Sequence, residues 1–154
     1  MARNSGRRIQ HRSLVRVGDV FSIPLENGLY GACRVLRIGD PHGIFGDGPL
    51  VAACQWVGQH LPEITELRNL LADRSFGGQG QPIVKWLHGS PPREFVLVGQ
   101  LQPTVEEQSL EILRGSTWEH FRDFILYEWL WEHDRQVALA RKQADDFRAR
   151  QQRS

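Results

Sequence analysis

Apolar and polar positions alternate with a period of two across residues 18–36, GDVFSIPLENGLYGACRVL. Phe21, Ile23 and Leu25 fall on one face of such a strand, with Val20 and Ser22 on the other. Asn27-Gly28 interrupts the alternation, and this pair is the strongest short-range hairpin signal, because both central residues of a type I′ turn need positive φ. The pattern predicts two strands closed by a two-residue loop. That register sets Leu25 opposite Tyr30, Pro24 opposite Gly31, Ile23 opposite Ala32 and Phe21 opposite Arg34. Pro24 has no N–H to donate to a ladder, which predicts an edge strand or a bulge there. Arg34 is then a cation on an apolar face. Either a bulge at Pro24 turns it outward, or it is buried with a carboxylate such as Asp19 or Glu26.

The same periodicities locate the other elements. LVAACQWV, residues 50–57, predicts a third strand pairing antiparallel with the second across the glycine-rich loop 39–48, which would bring Cys33 close to Cys54. Residues 62–72 predict a helix, with Pro62 and Glu63 at its start and Ile64, Leu67, Leu70 and Leu71 as one stripe. Residues 83–88 and 94–100 predict a fourth and a fifth strand around the turn Gly89-Ser90-Pro91-Pro92, and Thr104 would cap a short helix. Thr117 caps a last long helix, with Trp118, Phe121, Ile125 and Trp129 on one face and Phe124, Leu126, Leu130 and Trp131 adding a second. From Asp134 on, that helix should continue as a solvated extension fraying near Arg150. No βαβ rhythm and no repeat is present. The expected fold class is α+β: a small, bent antiparallel sheet, SH3-like in outline, packed with one short helix and a long C-terminal helix.

The order Gly18-Asp19, Phe21, Ile23-Pro24-Leu25, Gly28, Tyr30-Gly31 and Arg34-Val35 resembles the opening of the immunity protein 26 family, small bacterial proteins encoded with polymorphic toxins. PREFVLVG, residues 92–99, resembles a later strand of that family ending in glycine. The resemblance implies a non-enzymatic inhibitor that binds and neutralises a cognate protein toxin, and it puts Tyr30 and Arg34 on family-pattern positions.

Composition narrows the alternatives. The 154 residues make one ordinary domain, with the apolar and charged fractions of a soluble globular protein. The longest apolar run, residues 124–131, contains Glu128 and is too short to span a bilayer; the start of the chain has no apolar signal core. Two cysteines, Cys33 and Cys54, fit a reducing cytosol. The formal net charge is +1, but Arg3, Arg7, Arg8, Arg12 and Arg16 precede Gly18 without an acid among them, so the rest is net acidic. Residues 1–15 are therefore expected to be a basic, disordered tail, and 16–154 a single domain. The tail motivates the alternative of a nucleic-acid or protein-binding adaptor, although no aromatic residue interleaves its arginines for base stacking.

Reactive chemistry finds little purchase. Residues 43–48 lack the lysine and helix start of a phosphate cradle. Cys33, His42, Cys54 and His60 are zinc ligands by type, but without Cys-x-x-Cys spacing, so no metal or cofactor is expected. No nucleophile elbow would couple a hydroxyl or thiol such as Cys33 to a base such as His88. Glu106-Glu107 and Asp145-Asp146 are paired carboxylates in polar surroundings, where a carboxyl keeps its ordinary pKa. Five tryptophans stand out instead, since tryptophan serves both cores and interface hot spots. The expected partner-binding residues are Glu26, Tyr30, Arg34, Trp86 and Trp131, with a homodimer through the C-terminal helix as a further expectation.

Overall fold

The computed structural model describes residues 15–68 and 82–153. The arginines before Val15, the second half of the helix expected over 62–72 and nearly all of the glycine-rich stretch 75–82 lie outside the described residues. Among the described residues six strands form one sheet: β1 (Asp19–Pro24), β2 (Tyr30–Ile38), β3 (Pro49–Gly58), β4 (Val84–His88), β5 (Val96–Gln100) and β6 (Gly115–Thr117). Four helical segments accompany them among the described residues: α1 (Ile64–Leu67), α2 (Val105–Gln108), α3 (Trp118–His133) and α4 (Arg135–Arg153). The spatial order is β5-β1-β2-β3-β4-β6. The α+β class is as expected, but the sheet is open, not a closed SH3-like barrel, and β6 pairs parallel to β4, so it is mixed.

The first hairpin forms where the alternation places it, one residue out of the expected register. Asn27 and Gly28 take φ of 57° and 75°, as a type I′ turn requires. The Leu29 N–H closes the turn on the Glu26 carbonyl, while the Leu25 N–H donates to the Leu29 carbonyl. Leu25 and Glu26 thus share one partner, a bulge that shifts every later pair. Phe21 lies opposite Cys33, Pro24 opposite Tyr30, and Arg34 opposite Val20. Pro24 is not on an edge strand, but β5 pairs with β1 only over Asp19–Ser22, so the missing N–H costs no ladder bond.

Both faces of the sheet are covered. On one, Phe21, Ile23, Cys33, Val35, Val51, Ala53, Leu87 and Phe95 pack against Trp118, Phe121 and Ile125 of α3. The Thr117 hydroxyl caps α3, accepting from the His120 N–H at 3.1 Å. On the other face, Val20, Ala32, Cys54 and Leu67 form one cluster and Leu36, Leu50, Ala52, Val84 and Trp86 a second. Cys33 and Cys54 therefore sit on opposite faces, with Ala53 as the cross-strand partner of Cys33.

The C-terminal helix is not one rod. Asp134 leaves helical geometry (φ −155°, ψ 84°), caps α3 and starts α4. Ala138 is fully buried, and Arg141 forms a bidentate pair with Glu26 in the first hairpin. The expected solvated extension is thus a second helix tied back to the body. Burial and hydrogen bonds to the Glu26 carboxylate both act on Arg141; the latter dominates and raises its pKa.

Candidate functional site

The most conspicuous surface lies at the β4 end of the sheet, where loop 39–48 folds over Trp86. The loop is tightly built. The Gly39 N–H donates to the Gly48 carbonyl, and Gly43 and Gly46 donate within the loop. A Cβ on Gly39 would run into the carbonyls of Gly46 and Gly48, and one on Gly48 into that of Leu87, so only glycine permits this approach. Phe45 turns inward and stacks on Trp86, ring centroids 5.7 Å apart and planes 9° from parallel. The Arg37 guanidinium lies 5.2 Å from the Trp86 ring centroid. Phe45 is thereby an anchor, and its neighbour Ile44 is left 92% exposed. Leu113, 83% exposed, is next to Ile112, whose carbonyl accepts the Trp86 indole N–H at 2.7 Å. A hollow of about 370 Å³ opens beneath the loop between Arg37, Ile38, Ile44 and Trp86.

The expected partner-binding residues are not brought together. Arg34 is 6% exposed and pairs with Glu107 on α2. That carboxylate also accepts from the Thr104 N–H, as the reciprocal half of a capping box. Glu107 is thus buried and engaged, contrary to the polar surroundings expected of it. Trp86 is 7% exposed, beneath the loop. Both residues hold the fold and offer almost no surface. Glu26 is exposed but engaged by Arg141. Tyr30 is half-buried at the start of β2. Trp131, also half-buried, stands far along α3 with Tyr127 at 6.2 Å between ring centroids and the Arg135 guanidinium 5.0 Å from its own centroid.

The reactive residue types are dispersed. Among the described residues no group of three or more His, Cys, Asp or Glu is placed to hold a metal ion. His42 and His60 are exposed, whereas Cys33 and Cys54 are buried in different clusters. Burial, and secondarily Cys54 nearby, pushes the Cys33 thiol well above its ordinary pKa, the opposite of nucleophile activation. Asp47, His88 and Ser90 line one hollow of about 470 Å³ next to the loop, a carboxylate, an imidazole and a hydroxyl. Nucleophile-and-base catalysis needs these groups in hydrogen-bond reach, and no hydrogen bond joins any two of them.

The displayed Ile44 is not among the partner-binding residues expected from the sequence, in which 39–48 reads only as a glycine-rich loop. Its signal was the spacing Gly39, Gly43, Gly46, Gly48 around a single Phe, but the stacking partner, Trp86, comes from a distant strand. Comparison of the chain with protein-family models, with curated proteins and with solved structures finds no match.

Proposed function

We propose that this chain is an immunity-type protein that neutralises a cognate bacterial toxin by stoichiometric occlusion. The observation that carries the reading is the anchored loop: a large apolar side chain, Ile44, is held out in solvent by a backbone locked through glycine contacts and by the stack of half-buried Phe45 on buried Trp86. Scattered exposed apolar residues are ordinary, but one presented on a preorganised loop above a hollow has already lost the entropy that binding would otherwise remove. Arg37 and Asp40, which line the same hollow as Ile44, supply polar groups at the rim. Such a surface suits insertion into a pocket of a folded protein. Its action needs shape and a few anchors and no catalytic group. The resemblance of residues 18–35 to immunity protein 26 supplies the class of partner.

The test is co-expression with the toxin domain encoded by the adjacent gene. Cells should survive, and the two proteins should co-elute as a stoichiometric complex. Ile44→Asp, at a position with no packing to lose, should weaken the complex by about 2 kcal/mol or more without unfolding the protein. Failure of the wild-type chain to protect or to bind would sink the proposal. A complex indifferent to Ile44→Asp would leave the inhibitor reading standing and remove the loop from it.

A further inference from the structure

Strands β4 and β6 run parallel, with Trp86 level with Gly115 and Leu87 with Ser116. Continued one residue back, that register sets Lys85 beside Arg114, whose carbonyl accepts the Trp86 N–H at 3.0 Å. Both side chains leave the sheet on the face that α3 covers. Lys85 alternates with Ile83 and Leu87, which pack under α3, and its ammonium lies 4.8 Å from the centroid of the Phe124 ring. A Cβ on Gly115 would meet Phe45, on the opposite face with Trp86, so Arg114 before it turns to the α3 face. Neighbouring strands are about 4.8 Å apart, so two cations stand side by side, an arrangement that destabilises a sheet when nothing lies between them. Elsewhere the chain avoids this. Arg34, Arg122 and Arg141 each meet a carboxylate, and Arg37 meets two backbone carbonyls. Among the described residues neither the Lys85 nor the Arg114 side chain has a hydrogen bond or a salt bridge. Burial first, and the Arg114 charge second, lower the Lys85 pKa, and no carboxylate offsets them. Half-buried against Phe124, Lys85 has little room to turn away.

We propose that Lys85 and Arg114 bind a phosphate dianion between them, free or as a monoester, at the β6 edge of the sheet. The charge count selects the ligand. Two monocations held side by side are neutralised by one dianion, whereas a carboxylate leaves one of them unbalanced. The donors agree with that choice. Arginine offers a planar fork and lysine a point charge with three N–H groups, and both suit the oxygens of a phosphate. Charge-assisted bonds of about 2.8 Å from each side let one phosphate bridge the gap between the two strands. Access is open, because β6 is the outermost strand at that end of the sheet and Arg114 is exposed. The site is independent of the toxin-binding reading, which uses loop 39–48 over the opposite face.

The full chain titrated with inorganic phosphate at about pH 8, where the ion is a dianion, should shift the NMR signals of Lys85 and Arg114 ahead of all others. The dissociation constant should be on the order of 1 mM, and acetate should bind about tenfold more weakly or worse. Lys85→Met and Arg114→Gln should each weaken phosphate about tenfold or more, while Arg122→Gln, which removes a cation already paired with Glu94, should change nothing. Both weakening variants should be at least as stable as the wild type in denaturant, since each removes one of two like charges, so their loss of binding is not a loss of fold. A second arm uses O-phosphoserine. Binding within about threefold of inorganic phosphate supports a monoester ligand, and binding about tenfold weaker supports the free ion. Phosphate that binds Lys85→Met and Arg114→Gln as well as the wild type overturns the proposal, and so does acetate that binds as tightly as phosphate. Destabilisation by both substitutions overturns it too, because the pair would then already be neutralised within the chain.

Discussion

The two faces of the sheet are closed by different physics. Under α3 the cover is hydrophobic and continuous. Trp118 sits at its centre, edge-on to Phe21 and Phe95 with both ring centroids at 5.9 Å, and its indole N–H donates to the Gly89 carbonyl at 3.0 Å. The other face is split. Arg34, opposite Val20 on β1 and Ala52 on β3, stands between two smaller clusters. There the segment 104–114 is held by polar bonds: Arg34 to Glu107, Arg37 to the carbonyls of Gln108 and Leu110, and the Trp86 indole to that of Ile112. A buried ion pair contributes little net stability, because desolvation offsets the Coulomb attraction, but it is directional where apolar contact is not. The first face stabilises the domain. The second places a particular segment, and with it Trp86 and the loop above.

That division predicts a hierarchy of effects. Trp118→Ala should be the most damaging change, costing about 3–5 kcal/mol in denaturant unfolding, since it empties the centre of a close-packed face. Glu107→Ala should cost about 3 kcal/mol or more, because Arg34 is left buried without its counter-charge. The two differ in how they are repaired. Arg34→Met combined with Glu107→Leu should recover most of the loss, since two neutral side chains of similar volume need no desolvation. If the double variant is as unstable as Glu107→Ala, the ion pair stabilises that face outright and the contrast between the faces collapses.

How much of this was legible in the sequence depends on which interactions are local. The first five strands, the Asn27-Gly28 turn and the caps at Thr104 and Thr117 follow from neighbouring residues and emerged with small boundary errors. The register of the first hairpin did not, because Leu25 and Glu26 share a partner, and alternation alone cannot announce an extra residue. The alternatives framed for Arg34 correctly included burial with a carboxylate. The partner is Glu107, 73 positions away, and such a distance is beyond the reach of pattern. β6 pairs parallel over only three residues, too few to carry a periodic signal. The break at Asp134 comes from an extended backbone at one residue and from packing of Ala138 that no hydropathy window would single out.

Smaller tests probe the polar face further. Ser22 is fully buried beside β2, and its hydroxyl has no hydrogen-bond partner among the described residues. Ser22→Ala removes a desolvated, unsatisfied group and keeps the backbone, so it should raise stability by about 1 kcal/mol. A loss of stability instead would mean that the hydroxyl does bond in solution and that this face is better satisfied than its geometry suggests.

The smallest effect separates the faces by a single proton. Cys33 lies in the α3 cluster and Cys54 on the opposite face, so the two should never form a disulfide with each other in the native fold. Burial raises the Cys33 pKa above its ordinary value of 9.0, with Cys54 adding to the rise. In the folded state the thiol keeps its proton to higher pH than in the unfolded chain, so the native state binds more protons in that range. Its contribution is intact below about pH 9 and is lost as the pH climbs toward the folded pKa, at a limiting slope of about 1.4 kcal/mol per pH unit. Stability measured from pH 8 to 10 should therefore fall in the wild-type protein, and Cys33→Ala should flatten part of that fall. Cys54, 8% exposed, should react with a thiol reagent before Cys33 does. If both thiols instead reacted together and the alkaline fall were unchanged in Cys33→Ala, the α3 face would be no better sealed than the face held by Arg34 and Glu107.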